Sequence, residues 1–206
     1  MVENGVLLFG EFTLKSGRHA PYFINTGKYR TGAQIAQLGE YYAECYLEHG
    51  IQAKTLVGPA YKGIPLAVAT AIALAKNHGV DVGFCFDRKE VKDHGEGGLF
   101  VGQKMEAGDE VCLIEDVMTS GKALREILPK LKAEAAVKVV SMLISVDRQE
   151  RGTGEKSAVQ EAFEEFAIEV HSIVTMEDII AAIEDGVIEG REYLPAMKAY
   201  RAQYGA

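Results

Sequence analysis

Residues 111–123 constrain this chain more than any other stretch. Val111-Cys112-Leu113-Ile114 is an apolar, β-prone run, Glu115-Asp116 sets two carboxylates at its end, and Val117-Met118-Thr119-Ser120-Gly121-Lys122 leads on to Ala123. An unbroken apolar run of this kind predicts a strand buried on both faces, as in a parallel sheet. From Ala123 to Leu128 the pattern reads as the first turns of a helix. Strand, turn and helix N-terminus therefore meet within a dozen residues. In open α/β sheets ligands sit at such junctions, outside the carboxyl ends of the strands. The free N–H groups and positive dipole end of the helix suit a phosphate, and the Thr119 and Ser120 hydroxyls are further donors. Glu115 and Asp116 are hard oxygen groups suited to sugar hydroxyls or hydrated Mg²⁺. Together they point to a phosphorylated sugar.

A plainer reading gives Thr119 or Ser120 the role of an ordinary N-cap, with the carboxylates favouring the helix dipole. Taken alone the two readings are about even. The order acidic-acidic-apolar-apolar-Thr-Ser-Gly after an apolar strand, however, resembles the phosphoribosyl pyrophosphate motif of type I phosphoribosyltransferases. In many members of that family an Asp stands where this chain has Glu115, which keeps the charge on a longer arm. The resemblance implies sugar-phosphate contacts from Glu115, Asp116, Val117, Met118, Thr119, Ser120, Gly121, Lys122 and Ala123.

With 206 residues, 48% of them hydrophobic and 25% charged, the chain fits one domain able to bury a substantial core. A formal net charge of −8 argues against general nucleic-acid binding. No apolar run approaches the ~20 residues of a membrane span. The N-terminus lacks the basic-then-apolar order of a secretory signal, so a cytoplasmic protein is expected. Cys45, Cys85 and Cys112 share no metal-ligand spacing, and an odd count gives no disulfide framework.

Further strings carry the same signal. Near the N-terminus, Gly10-Glu11-Phe12-Thr13-Leu14-Lys15-Ser16-Gly17-Arg18 precedes Pro21-Tyr22-Phe23-Ile24, and alternation predicts short strands around a Ser-Gly turn. From Thr31 the spacing of Ile35, Leu38, Tyr42, Cys45 and Tyr46 predicts a core-facing helix ending at Gly50. A short strand, Thr55-Leu56-Val57, then runs into Gly58-Pro59-Ala60-Tyr61-Lys62-Gly63 and a helix from Leu66 to about Lys76. That is a second strand–loop–helix junction with a mobile cation, Lys62, at its tip. After a strand at 82–86, the segment 87–98 has no apolar period and holds three basic residues against four acids. It reads as a solvated loop, although a loop that closes over a polyphosphate would share that composition. Val137 to Val146 predicts another buried strand, ending in Asp147-Arg148-Gln149-Glu150-Arg151-Gly152. Helices over Lys156–Phe166, Met176–Asp185 and Glu189–Tyr204, with a strand over Ile168–Val174, complete the chain.

These strings, in this order, are similar to those of the orotate phosphoribosyltransferases, over about Phe9 to Tyr204. The resemblance implies an α/β fold of the type I phosphoribosyltransferase kind. Its central sheet is mainly parallel and five-stranded, flanked by helices, with a flexible catalytic loop over residues 88–98. A small hood is formed by about residues 1–30 and the C-terminal segment. The family's opening helix is longer than the few residues before Phe9. The resemblance further implies pyrophosphate contacts from Tyr61, Lys62, Arg88, Lys89, Lys92 and His94, with Lys92, His94 and Asp116 catalytic. Orotate contacts fall to Lys15, Phe23, Ile24, Thr119 and Arg148. Mg²⁺ is expected to be held through the substrate and water rather than by a protein cage, and a homodimer to share the loop across its interface. A phosphoribosyltransferase for another base is disfavoured, since Lys15 and Arg148 anticipate an acidic base. A non-enzymatic sensor of the sugar pyrophosphate is disfavoured because the loop is kept and the chain is acidic.

Overall fold

Along the chain the elements run β1 (Leu7–Thr13), β2 (His19–Ile24), α1 (Gly32–Glu48), β3 (Thr55–Val57), α2 (Gly63–His78), β4 (Gly83–Lys92), β5 (Gly98–Gly102) and β6 (Glu110–Val117). There follow α3 (Lys122–Glu134), β7 (Lys138–Asp147), α4 (Ala158–Phe166), β8 (Glu169–Thr175), α5 (Met176–Glu184) and α6 (Leu194–Tyr204). The computed structural model describes residues 1–14, 16–92, 98–118, 121–152 and 154–206, and of residues 90–92 the backbone only. No helix among the described residues is long and apolar enough to cross a membrane.

Six strands form the main sheet in the order β5-β4-β3-β6-β7-β8, parallel throughout except for β5, which runs antiparallel to β4 at the edge. Strand β6 shows why its sequence is apolar without a break. Cys112 and Ile114 face α1 and α2 among Tyr42, Leu66 and Leu74, whereas Val111 and Leu113 face α3 and α4 among Ile127, Leu131 and Ala162. Both sides of a central parallel strand are covered, so alternation gives way to continuous hydrophobicity. A third cluster joins the β1–β2 hairpin to α5 and α6, with Leu7, Tyr22, Ile180, Met197 and Tyr200 closing over Val146 at the end of β7.

From β3 the chain moves outward to β4, and β6 then returns to the other side of β3. Strand order therefore reverses between β3 and β6, and their carboxyl ends open one crevice. The two loops are brought close by glycine: a Cβ on Gly63 would lie 2.6 Å from the Ile114 carbonyl oxygen and 2.9 Å from the Gly58 backbone.

Three expectations are corrected. The sheet has six strands rather than five, because the charged segment after Phe86 continues β4 to Lys92 and pairs with the unforeseen β5. An edge ladder is held by backbone hydrogen bonds and needs no apolar period along the charged end of β4, and β5 offers only the short run Leu99-Phe100-Val101 between two glycines. In its described part, the loop expected at 88–98 is thus strand; residues 93–97 lie outside the described residues. The last helix begins at Leu194, not Glu189, after a 3₁₀ turn at Arg191–Tyr193. Pro195 fits only a first helical turn, which sets that start.

Gly63→Ala is expected to lower stability by about 1–3 kcal/mol, the usual cost of overpacking a closed site. Thermal unfolding should fall by several degrees, while Gly32→Ala, with nothing within 4 Å of its added Cβ, should leave it unchanged. Equal melting temperatures for the two variants would remove the close approach from the explanation.

Candidate functional site

At the crevice the β3–α2 loop and the end of β6 meet through charge. Lys62 Nζ lies 2.6 Å from Asp116 Oδ2. Thr26, from the segment after β2, donates to the same oxygen at 2.6 Å, and Lys62 Nζ lies 3.2 Å from Thr26 Oγ1. Asp116 is 6% exposed and Glu115 9%. Burial alone would raise both carboxyls, yet they part company. Burial, with ionised Asp116 next door, pushes Glu115 up to about 7. Asp116 is also desolvated, but the bonds from Lys62 and Thr26 outweigh that and hold it below the usual carboxylate range.

The backbone of this pair is held by two hydroxyls on the α1 side of the sheet. Tyr42 on α1 donates to the Glu115 carbonyl at 2.6 Å, and Ser145 on β7 donates to the Asp116 carbonyl at 2.6 Å. Side chain and backbone also interlock: the Asp116 N–H donates to Glu115 Oε1 and the Val117 N–H to Asp116 Oδ1.

The two helices that start at the crevice differ from their neighbours. Helices α1, α4 and α5 each begin with a reciprocal capping box, Thr31 with Gln34, Ser157 with Gln160 and Thr175 with Asp178. Helix α2 starts from Lys62 and α3 from Gly121, neither with a side-chain cap nor an acid in its first turn. Gly121 sits at φ 64°, in the left-handed region, which turns the chain into α3. First-turn N–H groups left uncapped can serve an anion. Lys122 and Ala123 lie in that turn; Thr119 and Ser120 lie outside the described residues.

Of the other predicted pyrophosphate residues, Tyr61 is 71% exposed at the loop tip, and Lys89 Nζ stands 5.6 Å above its ring centroid. Arg88 is half-buried, and its Nε finds no hydrogen-bond partner among the described residues. Lys92 is described by backbone only, and His94 lies outside the described residues.

Beside the crevice opens a cleft of about 1110 Å³, lined by Phe23, Ile24, Val117, Met118 and Arg148 among others. Lys15 lies outside the described residues. Arg148 is already engaged: its Nε and Nη2 grip Glu150 at 2.6–2.9 Å. Glu150 also accepts from the Tyr22 hydroxyl and, at 3.2 Å, from the Tyr200 hydroxyl on α6, while Arg18 stands 3.6 Å away. Sequence reading missed Thr26, Arg18, Tyr22 and Glu150 as site residues. Tyr22 and Glu150 stand inside the quoted strings, which is the signal that could have found them; Thr26 carries none.

No cluster of three or more His, Cys, Asp or Glu side chains arranged to hold a metal occurs among the described residues. The oxygen donors at hand are Glu115 and Asp116, which fits an Mg²⁺ that keeps its water and binds chiefly through a substrate's phosphates.

Residues 27–181 match the family model described as the phosphoribosyl transferase domain. The chain is 52% identical over 204 residues to the orotate phosphoribosyltransferase of Pseudomonas putida (strain W619) and 50% identical to that of Pseudomonas fluorescens (strain SBW25), covering 99% of this chain and 94% of each relative. Among solved structures, the orotate phosphoribosyltransferase of Francisella tularensis superposes with a TM-score of 0.89 at 40% identity, over 100% of this chain and 96% of that one.

Glu115 yields a test. Its carboxyl goes from the ordinary 4.5 in the unfolded chain to about 7 in the fold. Its stabilising contribution is therefore complete below about pH 4.5 and is lost as pH rises through about 7. Glu115→Gln removes this dependence, so its melting temperature relative to the parent should rise between pH 5 and pH 8. A difference that stays flat across that window would refute the assignment.

Proposed function

The chain belongs to the orotate phosphoribosyltransferases, and from that premise we propose that its crevice moves the 5-phosphoribosyl group of 5-phosphoribosyl 1-pyrophosphate onto orotate. The products are orotidine 5′-phosphate and pyrophosphate, within pyrimidine biosynthesis. One observation carries the reading: Lys62 and Asp116 meet at 2.6 Å across the point where strand order reverses, beside a cleft that holds Arg148.

The reaction is a displacement at the anomeric carbon of ribose, through a transition state with positive charge gathered on the sugar. The turn Thr119-Ser120-Gly121-Lys122-Ala123, led in by Val117 and Met118, anchors the 5′-phosphate on the uncapped N-terminus of α3. Asp116 and Glu115 face the ribose hydroxyls, and Asp116 holds negative charge beside the developing cation. In the free chain that charge is taken by Lys62. A pyrophosphate arriving at the β3–α2 loop draws Lys62, with Tyr61, to itself and turns the Asp116 carboxylate towards the sugar. Arg88, Lys89, Lys92 and His94 gather round the leaving group, and closure of their segment keeps water from the sugar. Glu115 and Asp116 would hold Mg²⁺ through its water beside the substrate's phosphates, where it would supply further positive charge to the departing pyrophosphate.

Lys15, Phe23, Ile24, Thr119 and Arg148 form the base site. Orotate brings a carboxylate, which a guanidinium fork pairs with in two parallel hydrogen bonds. On this reading the protein is a cytoplasmic homodimer whose 88–98 segment serves the partner's site.

Consumption of orotate, followed by absorbance in the presence of the sugar pyrophosphate and Mg²⁺, tests the activity; release of pyrophosphate with adenine, hypoxanthine or uracil instead would overturn it. Arg148→Lys keeps the charge but loses the fork, and should raise KM for orotate by about tenfold while KM for the sugar pyrophosphate holds. Two inactive variants, Arg88→Ala and Asp116→Asn, should recover activity when mixed and allowed to exchange subunits. A mixture that stays inactive after exchange excludes the shared segment.

A further inference from the structure

Asp87 belongs to the charged stretch without apolar period, and the fold buries it to 4% exposure midway along β4. A carboxylate so placed persists only if both oxygens are served. Oδ1 accepts from the Ala60 N–H at 2.7 Å, and Oδ2 accepts from Lys130 Nζ on α3. One side chain thus ties together β4, the third turn of α3 and the short loop that carries Tyr61 and Lys62.

The placement is not that of a ligand group. Asp87 is closed off from solvent, whereas Lys89, two residues on, stands over the exposed Tyr61 ring. What Asp87 does is fix one backbone amide of the β3–α2 loop, two residues before Lys62. On the opposite side Gly63 is pressed against the Ile114 carbonyl. The loop is thereby clamped between β4 and β6, and the flexible stem of Lys62 carries its ammonium on to Asp116. The same carboxylate fixes the body of α3, whose first turn lies at the 5′-phosphate end of the crevice. The distance between the two anion-binding ends is then set by the ion pair of buried Asp87 with half-buried Lys130.

We propose that Asp87 is a positioning residue for the pyrophosphate loop, acting through the Ala60 amide, and that Lys130 holds it in place. This rests on the reading that the β3–α2 loop takes the pyrophosphate of the sugar substrate. A positioning role predicts an effect confined to one substrate. A merely structural role predicts lower stability with both substrates affected alike.

The experiment compares Asp87→Ala, Asp87→Asn and the parent chain by KM for each substrate, and by calorimetric titration with 5-phosphoribosyl 1-pyrophosphate and Mg²⁺ in the absence of orotate. Asp87→Ala should raise KM and Kd for the sugar pyrophosphate by about tenfold, the effect of one lost charge-assisted hydrogen bond, while KM for orotate stays within about twofold. In Asp87→Asn the amide oxygen still accepts from Ala60, so the sugar pyrophosphate constants should return most of the way to the parent values. Equal shifts for both substrates, or no shift in Asp87→Ala, would overturn the proposal. Should Asp87→Ala fail to fold, hydrogen exchange at the Ala60 amide of the parent decides: slow exchange is expected, and free exchange overturns the clamp. A parent chain that binds the sugar pyrophosphate but leaves orotate untouched would sink the functional reading alone, because the titration still tests the clamp. A parent chain that binds neither would sink both.

Discussion

Adjacent carboxylates in a dry crevice cannot both stay ionised unless a cation stands beside them. Glu115 and Asp116 end a strand buried on both faces, where water does little to stabilise charge. Leaving one buried charge without its partner typically costs about 3–5 kcal/mol. Much of the local architecture follows from meeting that demand. Strand β3 must lie next to β6 so that its loop can deliver Lys62, and Gly63 must lack a side chain so that the loop can come near enough. The segment after β2 must cross the crevice mouth so that Thr26 can donate. Glu115, with no cation of its own, holds its proton up to about pH 7, while Asp116 stays charged well below that.

The same accounting explains which helices are capped. At Thr31, Ser157 and Thr175 the orphan N–H groups of a helix start are satisfied by side chains, while α6 follows a 3₁₀ turn with Pro195 in its first turn. At α2 and α3 the first turns are left without side-chain caps, and both open on the carboxyl ends of the central strands. A missing cap costs about 1 kcal/mol in an ordinary helix. Here the uncapped groups stand where an anionic ligand can satisfy them, so stability is exchanged for binding.

What the sequence made legible was whatever is written locally. The unbroken run 111–114, the helix periods of α1 and the turn glycines each carry their signal within a few residues, and the sheet with its flanking helices follows from them. The string around Glu115 and Asp116 was legible for the same reason, since strand, acids and turn are contiguous. The partners were not. Thr26 lies 90 residues from Asp116, Asp87 lies 43 from Lys130, and Tyr22 lies 128 from Glu150. Nothing in a short window distinguishes such residues from surface threonines, loop aspartates or strand tyrosines. Strand β5 escaped for a different reason. It pairs at an edge with the charged end of β4, and its own apolar run, Leu99-Phe100-Val101, is only three residues long.

Both ends of the crevice are neutralised from within. Lys62 rests on Asp116, and the guanidinium of Arg148 rests on Glu150. On the proposed reading, substrate binding therefore trades one anionic partner for another rather than burying a bare charge. A pyrophosphate competes with Asp116 for Lys62, and a base carboxylate competes with Glu150 for Arg148. In such an exchange neither cation is left unpaired, and the displaced acids keep other donors, Thr26 at Asp116 and Tyr22, Tyr200 and Arg18 about Glu150. The exchange also discriminates. A neutral base has nothing to offer Arg148 in place of Glu150, whereas an acidic one matches the carboxylate it displaces. Selectivity for an acidic pyrimidine then lies less in the shape of the cleft than in the internal acid that any ligand must replace.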